Sequence, residues 1–177
     1  QRRAGAGGRL RIGLTPTFIE TILPRIIARF QDRMPGVHLA IQEASLPGAI
    51  SDLRDGTMDL AVVGAGKELA PGTDMACELL ASVAKKVAVR HKHPLAGARS
   101  VRDVHEAVWV LTQRPDDPSD PMYALFADAG LAPPTRVVEC PTLPAMVSIV
   151  ASSDMISALP ALVLRLPHNA SRLIGLD

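Results

Sequence analysis

Aromatic side chains are scarce: Phe18, Phe30, Trp109, Tyr123 and Phe126 are the only ones in 177 residues. Base-stacking platforms for nucleic acid need several such rings on one surface, so that class is disfavoured. Charge of one sign is lacking too. Nineteen Lys and Arg stand against eighteen Asp and Glu, a formal net charge of +1, without the basic excess that gives a nucleic-acid surface its affinity. Cysteine is limited to Cys77 and Cys140, neither in a CxxC pair, so no disulfide framework is built and a reduced, cytoplasmic setting is expected. No run approaches the ~20 apolar residues of a membrane span, and no charged-then-apolar signal opens the chain.

What is present is a 47% apolar composition in a length that suits one large domain or two small ones. A fold of this size buries ~70% of its unfolded surface, so its core needs neither metal nor disulfide. Gln1 stands where an initiating Met would, which reads as a fragment or a processed product. Residues 1–9 carry Arg2, Arg3 and Arg9 among glycines and no acid, the composition of an exposed linker remnant.

Periodicity sets the architecture. Leu10, Ile12 and Leu14 alternate as in a strand, and Thr15-Pro16-Thr17 supplies a cap and a first-turn proline. Phe18, Ile19, Ile22, Leu23, Ile26, Ile27 and Phe30 recur at helical spacing up to Met34-Pro35-Gly36, with Pro24 as a kink unless the helix starts nearer Ile22. A strand over Val37–Ile41, a helix through Leu46, Ile50 and Leu53, and a doubly buried strand over Asp59–Val63 follow. That alternation is a doubly wound α/β signature, whose ligands bind outside the carboxyl ends of the strands. The loops at Thr15–Thr17, Ala44–Leu46 and Gly64–Gly66 should therefore gather at one edge. The pattern restarts after Pro71-Gly72. Strands are expected at Ser82–Val89, where Lys85-Lys86 suggest an edge or a solvated face, and at Trp109–Leu111, Arg136–Val138 and Ile156–Leu159. Helices are expected over Pro121–Ala129, closed by Gly130, and Thr142–Ala151, with Leu143, Met146, Val147 and Val150 on one face.

Catalytic signatures are weak. There is no GxSxG elbow, HExxH or GxxxxGK[ST] loop, and Gly64-Ala65-Gly66-Lys67 reads as a tight turn. His91 and His93 invite a metal, but Arg90 and Lys92 beside them favour a basic turn. Cys140 precedes a helix start, where a thiol is acidified, yet a buried strand-end cysteine is the plainer reading. Asp116, Asp117 and Asp120 lack the glycine turn and ligand spacing of a cation loop. Ser152-Ser153-Asp154 has no histidine in sequence beside it. Helix starts remain. Their free N–H groups and dipole hold an anion without a charged side chain, and Thr15–Thr17 and Thr142 open helices in the two lobes.

The order of these segments resembles the effector-binding domain of LysR-type transcriptional regulators, from Gly8 onward. The likeness is carried by Gly8-Arg9-Leu10-Arg11-Ile12-Gly13 with Leu23-Pro24 and Phe30 to Val37, and by Leu53-Arg54-Asp55-Gly56-Thr57-Met58-Asp59-Leu60-Ala61. It continues in His93-Pro94-Leu95-Ala96 and in Val150-Ala151 through Ala158-Leu159-Pro160. The family departs from this chain where it carries glycines at Ser153 and Met155, and its domains run on past the position of Asp177.

This resemblance implies an α/β fold of two Rossmann-like subdomains, periplasmic-binding-protein-like (type 2), joined by crossover segments near Glu68–Asp74 and Ile156–Pro160. Residues 10–70 and 160–177 would form subdomain I, and residues 75–157 subdomain II. Effector contacts are implied at Thr15, Pro16, Thr17, Ser45, Gly64 and Ala65, and at Thr112, Gln113, Pro141, Thr142 and Leu143. The ligand expected is a small organic anion between the subdomains; the wording from Phe126 to Pro160 is closest to members that sense aromatic acids. The resemblance further implies no cofactor, metal, membrane contact or catalysis, a homodimer through this domain and a tetramer in the full-length protein. DNA would be bound only by a winged helix-turn-helix preceding Gln1. Two rivals share parts of this logic: a periplasmic solute-binding protein, and a small α/β lyase or dehydratase using Thr17 and Arg114.

Overall fold

The structure, a computed structural model, describes residues 8–64, 74–112 and 121–176. The chain divides into two units, Gln1–Leu80 and Ala81–Asp177. The first contains β1 (Arg9–Leu14), α1 (Pro16–Thr21), α2 (Leu23–Arg33), β2 (His38–Glu43), α3 (Leu46–Arg54) and β3 (Leu60–Val62). Its sheet has the order β2-β1-β3, all parallel, with Ile12 opposite both Ile41 and Leu60.

The helix expected from Phe18 to Phe30 is two helices. Pro24 has no N–H to offer the carbonyl four residues back, and its ring crowds that carbonyl. The break falls at Ile22, and Pro24 sits in the first turn of α2, where its missing donor costs little. α3 ends before Gly56, whose φ of +67° is a left-handed conformation that a side chain disfavours. The strand expected over Asp59–Val63 is present as β3, but it is not buried on both faces. Among the described residues β3 pairs with β1 alone, as an edge strand of this sheet, and Leu60 is 50% exposed.

The second unit contains β4 (Lys85–Arg90), α4 (Val101–Val104), β5 (Trp109–Leu111), α5 (Pro121–Asp128), β6 (Val137–Glu139) and α6 (Leu143–Ser152). It ends with β7 (Ser157–Pro160), α7 (Ala161–Leu164), α8 (Pro167–Ala170) and β8 (Leu173–Gly175). β4 is antiparallel to both β7 and β8, and β5 runs parallel to β6. A parallel bridge from Trp109 to Ile156, with the Val110 N–H donating to Ile156 O at 2.7 Å, joins β5 to the start of β7.

Alternation along β4 separates two cores. Ala88 joins Val110, Val147, Val150 and Leu159 on the α6 face. Val89 joins Val104, Trp109 and Phe126 on the α4–α5 face, with Val87 packed against them. The four residues expected on the inner face of α6 are all buried.

One expectation is narrowed here and two are corrected. β4 is a central strand rather than an edge, and the solvated alternative fits its start: Lys85 is exposed, and β8 reaches only Ala88–Arg90, so among the described residues only β7 flanks that start. Ile156–Pro160 is no crossover, since Ser157–Pro160 pairs along β4. Residues 160–177 were expected with the first subdomain, but β8 hydrogen-bonds to β4 inside the second unit. The first crossover, near Glu68–Asp74, falls almost wholly outside the described residues. No helix among the described residues is long and apolar enough to cross a membrane.

Candidate functional site

In the first unit, the parallel order of β2-β1-β3 puts all three carboxyl ends on one edge. The Thr15 N–H donates to Val62 O and the Ala44 N–H to Leu14 O, both at 3.0 Å, so the three loop starts are stitched together. Thr15 caps α1, its hydroxyl accepting from the Phe18 N–H at 3.4 Å. Pro16 and Thr17 are half-buried in the first turn of α1, and the Thr21 hydroxyl donates to Thr17 O at 2.6 Å. Ser45 precedes α3 as an exposed N-cap whose hydroxyl makes no bond to its own helix. Gly64 is exposed just beyond β3, and Ala65 lies outside the described residues. The gathering expected from strand polarity is therefore present for Thr15, Pro16, Thr17, Ser45 and Gly64.

A matching edge exists in the second unit. β5 and β6 run parallel, and the Cys140 N–H donates to Leu111 O at 2.8 Å. Thr112 follows β5 as an exposed residue, while Pro141, Thr142 and Leu143 follow β6. Thr142 is the N-cap of α6 with φ −107° and ψ 128°, exposed and without a side-chain cap bond. Pro144 removes one first-turn donor, leaving the Leu143 and Ala145 amides directed out of the helix start. Leu143 turns its side chain into the core and so anchors that turn. Gln113 lies outside the described residues.

The remaining candidates are structural. His93 is buried, its Nδ1 accepting from the Leu95 N–H at 2.9 Å and its Nε2 facing Asp154 O at 3.1 Å. His91 faces Ala170 O at 3.1 Å. No group of three His, Cys, Asp or Glu able to hold a metal is found among the described residues. Cys140 is buried with its Sγ 3.7 Å from Thr142 O, the strand-end reading. Ser153 donates back to Ile149 O at 2.7 Å, and the Asp154 carboxylate pairs with Arg90 at 2.6 Å. That serine and aspartate make no nucleophilic relay. Asp116, Asp117, Asp120, Arg114, Gly66 and Lys67 lie outside the described residues.

Two features had no sequence signal. Arg11 clamps β1 to the entry of β3 through a bidentate pair with Asp59 (2.7 and 3.1 Å), and the Arg11 N–H donates to the same carboxylate at 2.8 Å. Those bonds hold the Asp59 carboxyl down at about 2. A cavity of about 290 Å3 also opens between β4, α4 and α5 in the second unit.

Comparison with known proteins agrees with this geometry. The family model described as the LysR substrate binding domain matches residues 3–177. The HTH-type transcriptional regulator GalR of Pseudomonas putida is 31% identical over 155 residues, which is 87% of this chain and 39% of that protein. The chain thus spans about two fifths of the length of that relative. Among solved structures, the BenM effector binding domain with its effector benzoate superposes with a TM-score of 0.75 at 21% identity, covering 97% of this chain and 78% of that one. HinK, a LysR family transcriptional regulator from Pseudomonas aeruginosa, gives 0.74 at 23% identity, covering 98% and 60%. Both likenesses carry the fold, the type 2 periplasmic-binding-protein-like α/β architecture. With a family model spanning nearly all of its residues, this chain belongs to the LysR substrate-binding domain family.

Proposed function

We propose that this chain senses a small organic anion, a carboxylate foremost, and thereby controls DNA binding and transcription by the protein it is part of. The observation that carries the reading is the pair of exposed N-caps, Ser45 and Thr142, whose hydroxyls are not spent on their own helices. Each stands at a strand-end edge beside further hydroxyls, Thr15 and Thr17 in one unit and Thr112 in the other. A carboxylate needs donors, and helix starts with free hydroxyls and amides supply them without the desolvation cost of a buried cation. Pro16, Gly64, Ala65, Gln113, Pro141 and Leu143 complete the proposed contact set by adjacency in sequence.

An aromatic acid is the preferred effector class. Supporting it are the BenM neighbour solved with benzoate and the likeness of Phe126 to Pro160 to aromatic-acid sensors. With few aromatic residues to stack on, such a ring would rest on aliphatic side chains and backbone. The same reading places the protein in the cytoplasm, as a homodimer through this domain and a tetramer with DNA-binding parts attached.

A thermal-shift screen of small aliphatic and aromatic carboxylates tests this directly, because a ligand at a hundred times its Kd adds about 2.7 kcal/mol. No stabilisation by any acid in the panel would overturn the reading. With a hit in hand, Thr17→Val and Thr142→Val should each weaken binding by about 1–2 kcal/mol in calorimetry. Unchanged affinity in both would remove these loop ends as the site.

A further inference from the structure

The cavity between β4, α4 and α5 lies wholly within the second unit, and neither Thr112 nor Pro141–Leu143 lines it. Its floor is apolar. Val87 and Ala158 are cross-strand partners on β4 and β7, and Leu176 is fixed beside them by its N–H donating to Val87 O at 2.8 Å. Val101 from α4 and Met122 and Leu125 from α5 form the walls.

The rim is cationic. Strand alternation puts Lys85 on the same side of β4 as Val87, while Lys86, which also borders the cavity, lies against Gly175. Arg99 enters from the turn before α4. Both Lys85 and Arg99 are exposed, and no carboxylate among the described residues pairs with either. The acid nearest in sequence, Asp103, already accepts the N–H groups of Arg99 and Ser100 at 2.9 and 3.0 Å. An apolar slot of about 290 Å3 under two cations that no carboxylate of the described residues pairs is complementary to one kind of molecule. Its body must be apolar and small, and its head must be anionic.

We infer that this cavity is a second ligand site, taking a small monocarboxylic acid whose apolar part, a single ring or short alkyl chain, enters between α4 and α5 while its carboxylate meets Lys85 and Arg99. It is independent of the strand-end loops, so a chain carrying both sites binds two molecules. The site would let the second unit respond to an amphiphilic acid whatever occupies the loop ends.

Fluorine NMR of para-fluorobenzoate with the whole 177-residue chain, as a function of added protein and salt, tests it. The expected result is a saturable shift that weakens as salt screens the cations, and weakens about tenfold in the Lys85→Glu, Arg99→Glu double variant. Both positions are exposed, so the fold should survive the exchange, as an unchanged Tm would verify. Ala158→Leu, which fills the floor, should remove the same part of the shift that the charge-reversed pair removes; if that variant fails to fold, the charge-reversed pair decides. Any part of the shift contributed by the loop-end site should survive the charge-reversed pair and fall in Thr142→Val, so the two variants separate the sites. Loss of the shift in Thr142→Val with no change in the charge-reversed variant would overturn the proposal while supporting the loop-end site. Absence of any shift up to about 10 mM probe would overturn it as well.

Discussion

Around β1 the first unit buries, among its described apolar side chains, only Leu14, Ala49 and Met58, and leaves Ile26, Met34, Ile41 and Leu60 largely at the surface. Around β4 the second unit encloses two apolar clusters, one on each face of its strands, anchored by Val150 and Leu159 on one side and Trp109 and Phe126 on the other. The two units nonetheless read alike in sequence, as alternating strands and amphipathic helices. The difference lies in coverage. Every apolar position on β4 meets a helix or a neighbouring strand, whereas β3 is an unflanked edge and α2 has no fully buried residue. Cohesion in the first unit therefore leans on directional bonds, chiefly the Arg11–Asp59 pair and the Thr15 and Ala44 amides. Cohesion in the second is mostly packing.

The comparison is broken most forcefully at Phe126. Its ring is fully buried and meets Trp109 edge-on at a centroid distance of 5.1 Å. Phe126→Ala should destabilise the second unit by about 3–5 kcal/mol in denaturant unfolding. An effect under about 1 kcal/mol would mean that this core is no better packed than the first unit.

Gly13 is the corresponding tight point of the first unit. A Cβ there would come within 2.5 Å of the Met58 methyl and 2.8 Å of the Ala44 Cβ. Gly13→Ala should cost about 1–3 kcal/mol by overpacking, less than the loss at Phe126. A neutral substitution would show that the sheet yields freely even where it is closest.

The pH responses should separate as well. Asp59 is held near 2 by its hydrogen bonds to Arg11, below its ordinary 3.8. A depressed carboxyl stabilises the fold above its unfolded pKa and loses that contribution as pH falls through the folded value. Asp59→Asn should therefore flatten Tm against pH between about 4 and 2. Asp103 gives the second unit an acid limb too, through the Arg99 and Ser100 amides.

His105 works in the opposite sense. Its Nε2 faces Ala132 O at 2.8 Å and its Nδ1 faces the Glu106 carboxylate at 3.0 Å. Two acceptors are satisfied together only by the doubly protonated ring, so the Ala132 bond, then Glu106, raises the pKa above 6.5. That contribution is complete below the unfolded pKa and fades as pH rises through the folded one. His105→Gln should remove a decline in Tm on the neutral-to-alkaline side and leave the acid limb intact.

The smallest effect is expected at Leu60. Half-exposed on an edge strand, it should tolerate Leu60→Thr within about 0.5 kcal/mol in the same unfolding assay. A larger loss would show that β3 is covered in solution by something that narrows the contrast between the units.

Legibility followed the range of the physics involved. The inner face of α6 was readable because Leu143, Met146, Val147 and Val150 repeat at helical spacing and all are buried. The edge holding Thr15, Ser45 and Gly64 was readable because strand polarity alone fixes which loops share an end. Pro24 announced an interruption, and the structure placed it at Ile22. Lys85-Lys86 left an edge and a solvated face undivided, since charge at the exposed start of a strand resembles charge along an edge. β8 was missed, being three residues whose pairing with β4 spans some eighty positions of chain. Lys85 and Arg99 share a cavity for the same kind of reason; no local pattern links a strand start to a helix entry.

By itself the sequence determined that this is an alternating α/β chain whose hydroxyl-bearing loops lie at strand ends, and, through its motifs, its family. Local periodicity and capping chemistry act over a few residues, so they are written where they act. Only the tertiary structure decided that β3 is an edge, that residues 160–176 stay with the second unit, and that the scarce rings of Trp109 and Phe126 meet in one core. Those outcomes depend on which distant segments compete for a strand's free side or a sheet's open face, and that competition is settled by burial in three dimensions.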